Sequence, residues 1–174
     1  MAFIASSVLI TALSEVWCLM EIDLSSSLTE TYAGVCDRQG FDYHGYRTNT
    51  TNGGPNGLTF DGNNFLYYST SSDYKIIQID THSGESRLIA TLDSSPNAMA
   101  HDALNGYLMV IMGKGLMKIE RPEYPETAKL VRVIDSNGML ENSTQTSGMK
   151  EPGALVQLDC STWIVSDIGS NRCV

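Results

Sequence analysis

The chain has few basic residues and none of the clustering that a polyanion partner requires. Its 174 residues include 11 Lys and Arg against 20 Asp and Glu, a formal net charge of −9. An acidic surface repels phosphate backbones, and the basic side chains are scattered along the sequence without forming a stripe. Nucleic acid is therefore excluded as a partner. The acidic balance indicates ordinary solubility, with cation binding as the lesser alternative.

Long apolar runs and helical periodicity are also missing. No stretch of eighteen or more apolar residues is present, so the sequence predicts no transmembrane segment. No long window keeps a 3.6-residue apolar period between caps, which leaves little room for helices. The apolar stretches Phe3-Ile4-Ala5 and Val8-Leu9-Ile10 have no basic residue before them, and Glu15 stands where a signal-peptide cleavage region should be small and neutral. We interpret this start as β-structure rather than as a signal peptide.

What the chain does contain is a repeated pattern of apolar runs and polar turns. Residues 6–34 lie over residues 63–91 without gaps, and Ile22-Asp23 meets Ile79-Asp80 at a shift of 57. A third copy spans residues 105–120, and a fourth begins at Ser161 and stops partway. A repeat cannot bury its apolar face alone, so the copies are predicted to stack on one another.

A proline precedes each later copy, and its spacing predicts the fold. Pro55, Pro96 and Pro152 lie 41 and 56 residues apart, and a four-stranded propeller blade takes about 40–45 residues. We predict an all-β chain, a β-propeller of four-stranded antiparallel blades. The blade units of this single segment are 1–34, 55–91, 96–135 and 152–174, separated by long loops at 36–54 and 135–151.

The predicted strands of the second unit are 57–61, 65–69, 74–80 and 86–91, joined by turn residues that tolerate positive φ. The first unit is predicted to lack its opening strand and the last to lack its third and fourth strands. About four units therefore leave the ring incomplete. Either the chain is a fragment of a longer protein, or two copies complete each other head to tail.

These motifs resemble the NHL-repeat β-propellers of the extracellular type. The likeness rests on Pro55-Asn56-Gly57-Leu58, on the Ile-Asp strand ends, and on residues 166–172 (SDIGSNR), which are similar to the family's turn between strands two and three. The resemblance implies an extracellular or cell-surface module that is not catalytic. It would bind a protein partner or self-assemble through the loops that connect the blades.

A more distant resemblance, to the SMP-30/gluconolactonase-like propellers, supplies the alternative function. Pro55-Asn56-Gly57 is similar to the asparagine motif of their metal site, which implies Asn56 as a calcium ligand and Asn97 as a second candidate. The alternative is thus a calcium-dependent lactonase-like hydrolase; otherwise no cofactor is expected. A third possibility, the related lyase that releases amidated peptides, lacks its zinc-binding histidine set here. A simple tight turn at Asn56 remains the plainest interpretation.

Two glycosylation sequons and four cysteines indicate the secretory route. Asn49-Thr50-Thr51 and Asn142-Ser143-Thr144 both fall in the predicted long loops, where glycans at Asn49 and Asn142 would be exposed. The cysteines (Cys18, Cys36, Cys160 and Cys173) allow three connectivities.

The repeat places two of these cysteines, Cys18 and Cys173, at the same strand position. They could link the ends of a ring or two chains, or they could be half-buried thiols. No cysteine or histidine spacing suggests zinc.

No catalytic residue is identified from the sequence. His44, His82 and His101 are interpreted as loop histidines in solvent, because none adjoins a nucleophile or metal motif. Phe65, Tyr107 and Trp163 are predicted to share one repeat position and to pack blade against blade. Tyr67, Tyr68 and Tyr74 are less regular, and packing is expected for them before ligand binding.

Overall fold

The computed structural model describes residues 2–5, 7–134, 148–159, 162–170 and 172–173. These residues form four antiparallel sheets and contain no α-helix; two single-turn 3₁₀ helices, Pro125–Thr127 and Ile168–Ser170, are the only helical segments among them. The predicted all-β propeller with an incomplete ring is confirmed. No helix in this described part is long and apolar enough to cross a bilayer.

Each sheet is one blade, and its strands run in chain order from the inner to the outer edge except in blade two, where β5 is added outside β9. Blade one comprises β1 (Ala2–Ala5), β2 (Val8–Leu13), β3 (Cys18–Asp23) and β4 (Leu28–Ala33). Blade two comprises β5 (Gly45–Tyr46), β6 (Pro55–Phe60), β7 (Phe65–Thr70), β8 (Lys75–Asp80) and β9 (Glu85–Thr91). Blade three comprises β10 (Pro96–Asp102), β11 (Tyr107–Met112), β12 (Gly115–Glu120) and β13 (Lys129–Ile134). Blade four comprises β14 (Pro152–Gln157), β15 (Trp163–Asp167) and β16 (Arg172–Cys173).

Apolar layers between successive blades hold the segment together. Successive strand side chains point to opposite faces, so the adjacent Tyr67 and Tyr68 of β7 enter different layers. Tyr68 packs with Ile10 and Leu19 of blade one, whereas Tyr67 packs with Leu108 of blade three. Both tyrosines are fully buried. Each such side chain contributes roughly 1.5–3 kcal/mol by leaving water, which is why the second strand of a blade has few polar residues.

The prediction that the first unit lacks its opening strand is wrong. Residues Ala2–Ala5 form β1, which pairs antiparallel with β2 through Ala2↔Ile10 and Phe3↔Leu9. This strand is only four residues long and has no proline before it, so the signal that revealed the other first strands is missing. The last unit is also less truncated than predicted, since β16 supplies the beginning of a third strand opposite Ser166 and Asp167.

A fifth strand in blade two was not predicted. Residues Gly45–Tyr46 of the long loop pair with the start of β9 through Gly45↔Ser86 and Tyr46↔Glu85. A two-residue strand has too few residues to show an alternating pattern in the sequence. By pairing there, it covers part of an outer sheet edge that would otherwise present unpaired backbone groups.

The register of blade four differs by one residue from the predicted repeat. Pro152 pairs with Asp167 just as Pro55 pairs with Thr70. Asp167 therefore corresponds to Thr70, whereas the repeat that matches Phe65 with Trp163 would match Asp167 with Ser69. Cys18 stands opposite the last residue of β2, whereas Cys173 stands opposite the penultimate residue of β15. A one-residue slip exchanges the two faces of a strand. The prediction that Cys18 and Cys173 share a strand position is therefore wrong.

The same slip separates Trp163 from the other two aromatic residues. Trp163 pairs with Gln157, and the corresponding pair in blade two is Leu66 with Phe60. Trp163 therefore corresponds to Leu66, which is one residue after Phe65. The three rings do pack in the interblade layers as predicted. The ring centroids of Tyr107 and Trp163 are 6.4 Å apart.

Candidate functional site

The long loops and the turns between second and third strands lie on one face of the segment. The first strand of blades two, three and four begins at the blade proline, which pairs with the last residue of the second strand. The turn after the second strand therefore lies at the proline end, as does the connection that enters the blade. We call this end the loop face. At blades one and two it is formed by residues 14–17 and 71–74 and by both ends of the loop 36–54, whose middle residues 45–47 reach Gly84, Glu85 and Ser86 at the other end of blade two.

A disulfide and backbone bonds attach the loop 36–54 to the blades. Cys36 is bonded to the buried Cys18 at the start of β3, with 5.0 Å between the Cα atoms. The Asp37 N–H donates to the Val16 carbonyl in the neighbouring turn at 2.9 Å. Farther along, Gln39 and Asn52 form a parallel bridge that closes the loop on itself. The beginning and the end of the loop are thus held together and tied to blade one.

Buried polar side chains attach the same loop to blade two. The Tyr43 hydroxyl donates to Asp73 Oδ2 at 2.7 Å, and the Tyr68 hydroxyl donates to Asn52 Oδ1 at 2.6 Å. Asn52 and Tyr68 are fully buried. Burial, reinforced by the Asp73 carboxylate, raises the pKa of Tyr43 well above its ordinary value. Tyr43 therefore remains a neutral donor throughout the physiological pH range.

Arg47 joins the outer edges of blades one and two. Its N–H donates to the Gly84 carbonyl at 2.7 Å, and its carbonyl accepts from the Gly34 N–H at 2.8 Å. Its guanidinium lies over the Tyr32 ring, 4.0 Å from the centroid. A loop that was predicted as a simple insertion is thus a structural bridge between two blades.

An apolar patch remains exposed on this braced loop face. Phe41 is 58% exposed, Leu13 at the end of β2 is 39% exposed, and Tyr74 in the turn after β7 is 38% exposed. A Cβ atom at Gly53 would lie 3.0 Å from Phe41 Cε1, so the glycine allows the ring to lie against the backbone. We call Leu13, Phe41 and Tyr74 the apolar patch. A rigid platform with exposed aromatic residues has the composition of a protein-binding surface.

A groove of about 570 Å³ lies on the loop face between blades three and four. Its walls include Asn97 and Lys114 on one side, and Lys150, Glu151 and Ile168 on the other. The backbone N–H groups of Lys150 and Glu151 donate to the buried Asp167 carboxylate at 2.8–3.2 Å. Residues 148–151 are the described end of the second long loop, which therefore also reaches this face.

The structure brings the two predicted metal ligands to neighbouring strands, and Asn97 lines the groove between blades three and four together with Glu151. Asn56 and Asn97 each follow the proline that begins an inner strand, and both are exposed. The Asn56 amide donates to the Pro96 carbonyl at 3.0 Å, a bond between blades. Among the described residues, no three His, Cys, Asp or Glu side chains form a group that could hold a metal ion.

The other predicted sites divide between this face and residues outside the described ranges. Asn49 is exposed on the loop 36–54, whereas Asn142 and Cys160 lie outside the described residues. Cys173 is described only as a backbone position of β16. Of the three connectivities open to the sequence, the Cys18–Cys36 bond is consistent with the one that leaves Cys160 and Cys173 for each other.

His101 is not the solvent-exposed loop residue that was predicted, whereas His44 and His82 are exposed. His101 lies in β10 at the interface of blades two and three, where its ring stacks on Tyr67 with 6.1 Å between centroids. Burial lowers the pKa of His101 below its ordinary value. A histidine inside a strand beside the next blade cannot be distinguished from a turn histidine when only its sequence neighbours are known.

Sequence reasoning missed the residues that build the loop face, namely Phe41, Tyr43, Asn52 and Asp73. One signal was present: three aromatic residues, Phe41, Tyr43 and Tyr46, occur within the otherwise polar and glycine-containing loop. Aromatic residues in such a loop must either pack or bind. The structure shows both outcomes, with Tyr43 only 2% exposed and Phe41 exposed.

Comparison with solved structures places the chain among propeller proteins. It aligns with a chain of a nidogen/laminin complex at a TM-score of 0.68 and 14% identity, covering 99% of this chain and 56% of that one. It also aligns with a streptogramin B lyase at 0.65 and 12%, covering 98% and 48%. A virginiamycin B lyase from Staphylococcus aureus with quinupristin aligns at 0.63 and 15%, covering 95% and 46%.

The chain thus spans about half the length of these structures, and at such identities the likeness shows the fold alone. Neither a protein-family profile nor a curated protein matches the chain.

Proposed function

We propose that this chain is a single segment of an NHL-type propeller that serves as a non-catalytic extracellular module for protein binding or assembly. The observation that carries the proposal is the loop 36–54, which is attached to two blades and yet leaves Phe41 58% exposed. A surface that is ordered before binding loses little conformational entropy on association. The partner would contact the loop face, including the second long loop at 135–151.

The extracellular setting is supported by two features of the same loop. The Cys18–Cys36 disulfide is typical of oxidising compartments. The sequon at Asn49 lies on an exposed turn, in which the Asn49 N–H donates to the Tyr46 carbonyl at 2.8 Å. The nidogen/laminin alignment adds a propeller protein whose structure was solved in a protein complex. Each of these observations also suits a cell-surface protein.

Replacing Phe41 by Ala is expected to abolish partner capture without unfolding the protein. Immobilised protein would be incubated with an extracellular extract of its source, and bound proteins would be fixed by chemical cross-linking. Mass spectrometry would then identify the captured proteins. Truncating a central interface aromatic costs about 2 kcal/mol or more in binding, roughly thirtyfold. The matched control is Leu104→Ala, because Leu104 is 71% exposed in the β10–β11 turn at the opposite end of the blade. Equal capture by both variants would refute the loop-face function.

Calcium is expected to leave the melting temperature almost unchanged, which separates this proposal from the lactonase-like alternative. A metal bound at a hundredfold excess over its Kd stabilises by about 2.7 kcal/mol, whereas Asn56→Ala should cost about 1 kcal/mol or less through the bond to Pro96. Melting curves of both proteins, with and without calcium, would be combined with a lactone hydrolysis assay. A calcium-dependent shift that disappears in the Asn56 variant would establish the alternative.

Asn49 and Asn142 are expected to carry glycans when the protein is isolated from its natural source. Asn49 is exposed, and the sequon's Thr51 side chain accepts a hydrogen bond from the Asp42 N–H at 3.2 Å. Peptide mass spectrometry before and after enzymatic deglycosylation would detect the modification. Asn64 and Asn105 lie in short polar turns but outside any Asn-x-Ser/Thr triplet, so peptides containing them serve as unmodified controls. Unmodified Asn49 and Asn142 would remove the main support for an extracellular location.

A further inference from the structure

The loop face around the apolar patch carries a surplus of carboxylates. Within residues 14–17, 36–54 and 71–74 there are four acidic side chains and two basic ones. Those residues are Glu15, Asp37, Asp42 and Asp73 against Arg38 and Arg47. Glu15, Asp37 and Asp42 are exposed, as is Arg38, whereas Arg47 lies over the Tyr32 ring. The exposed charges beside the patch are thus predominantly negative.

Backbone contacts hold these carboxylates close to Phe41. The Asp37 N–H bonds to Val16, which follows Glu15 in the adjacent turn, and the Thr51 N–H bonds to the Asp42 carbonyl at 2.9 Å. Asp42 directly follows Phe41, and the His44 N–H donates to its Oδ1 at 3.3 Å. Asp42 is therefore the carboxylate closest to Phe41 along the chain. The faces of aromatic rings attract cations, most often guanidinium groups.

The charge changes sign across the loop face. The groove between blades three and four contains Lys114 and Lys150 with one exposed carboxylate, Glu151. Most of the other basic side chains form ion pairs on the third and fourth strands of a blade, as Arg87 does with Glu85 and Lys118 does with Glu120. The net charge of −9 attracts cationic partners over longer distances. The negative end at blades one and two is thus where a cationic partner would first bind.

We infer that the apolar patch and its carboxylates recognise a basic protein segment in which an arginine or lysine alternates with an apolar residue. The cation would lie over Phe41 or Tyr74 and pair with Asp42, Asp37 or Glu15, while the apolar side chain would contact Leu13. Carboxylate–guanidinium pairs formed there are charge-assisted and directional. This inference rests on the proposed function and specifies the chemistry of the partner.

The test uses three labelled peptides of equal length, alternating Arg-Leu, Ser-Leu or Glu-Leu, with fluorescence anisotropy at low and moderate salt. The test variant is Asp37→Asn/Asp42→Asn. At Asp37, an Asn side chain tolerates the positive φ of 60°. At Asp42, it keeps an oxygen that accepts the His44 N–H. The matched control is Glu30→Gln/Glu126→Gln, which removes two exposed carboxylates from other elements. Phe41→Ala reports on the aromatic contact.

We expect the Arg-Leu peptide to bind in preference to the other two, with an affinity that falls as salt rises. The Asp37/Asp42 variant should bind about tenfold more weakly, which corresponds to about 1.4 kcal/mol, and the Glu30/Glu126 control should bind like the unmodified protein. Equal losses in the two charge variants would mean general attraction to an acidic protein and would overturn the inference.

Two other outcomes separate this inference from the proposed function. If the Ser-Leu peptide binds equally well, and binding is lost only in the Phe41 variant, then the patch is a docking surface and the basic partner chemistry is wrong. If none of the three peptides binds, the inference is also wrong, and the proposed function is then judged by the Phe41 and Leu104 capture experiment alone.

Discussion

Replacing both Cys18 and Cys36 by Ala is expected to lower the free energy of unfolding by about 3 kcal/mol, the loop-closure value for a bridge of this size. The bond closes a sequence separation of 18 residues and joins β3 to the beginning of the loop 36–54. For a domain of this length, such a loss corresponds to a fall in melting temperature of roughly 6–12 °C. Urea or thermal unfolding of the two proteins measures it directly.

Reduction provides the matched comparison for the disulfide variant. A reductant should lower the stability of the unmodified protein toward that of the double variant. If the reductant also lowers the stability of the double variant, that decrease would report on Cys160 and Cys173. Limited trypsin digestion locates the effect, because Arg38 is exposed beside Cys36 whereas Arg47 is stacked on Tyr32. Faster cleavage after Arg38 alone is expected. Unchanged stability and cleavage would contradict the structural role of this bond.

Tyr68→Phe is expected to destabilise the protein by about 1–3 kcal/mol, whereas Tyr67→Phe should have almost no effect. The two tyrosines are adjacent and equally buried. The Tyr68 hydroxyl donates to the buried Asn52 Oδ1 at 2.6 Å, so its removal leaves an unpaired acceptor in the interior. The Tyr67 hydroxyl lies beside the Gln78 side chain, whose amide donates to the Pro122 carbonyl at 3.1 Å, so removal of the hydroxyl leaves that amide with a backbone partner.

This pair of variants separates a buried hydrogen bond from ring packing. Both substitutions keep the aromatic ring, so the area buried in either interblade layer hardly changes. Denaturant midpoints, together with hydrogen exchange at residues 50–54, would distinguish a local loss at Asn52 from a global one. Equal destabilisation by the two variants would show that the Tyr68–Asn52 bond does not hold the loop 36–54 to blade two.

Both predictions bear on function because the loop is useful only while it is attached. Phe41 lies between Cys36, bonded to blade one, and Asn52, bonded to blade two. If either attachment is removed, the exposed ring loses its fixed position and binding must then order the loop as well. Loop ordering costs about 0.5–1.5 kcal/mol for each side chain that becomes immobilised. The Cys18/Cys36 variant should therefore also bind a partner more weakly.

The strands of blade two show how much of the fold can be read from sequence. The predicted strand 65–69 became Phe65–Thr70 and the predicted 86–91 became Glu85–Thr91. The first is an apolar run between turn residues, as expected of a strand that is buried on both faces. The second begins with alternating exposed and buried residues, as expected of an outer strand with one exposed face. β1 and β5 were missed because four and two residues are too few to carry a period.

The register of blade four and the location of His101 show where sequence patterns end. The predicted repeat matched Phe65 with Trp163, but the ladder from Pro152 matches Leu66 with Trp163. The same bulge follows the proline in both blades, so the difference lies in the spacing: Trp163 is eleven residues after Pro152, whereas Phe65 is ten residues after Pro55. His101 was placed in solvent because it adjoins no nucleophile or metal motif in the sequence, whereas its neighbour in space is Tyr67.

The sequence by itself determined that this chain stacks short antiparallel sheets, because repeated apolar runs can be buried only against copies of themselves. It also indicated which segments would be long loops. Only the tertiary structure decided that Cys18 pairs with Cys36, that Tyr43 and Asn52 are buried, and that Phe41 is not. These outcomes depend on contacts between residues 16 to 30 positions apart, such as Tyr43 with Asp73 and Tyr68 with Asn52. Such contacts form only after the blades have packed, so no local pattern encodes them.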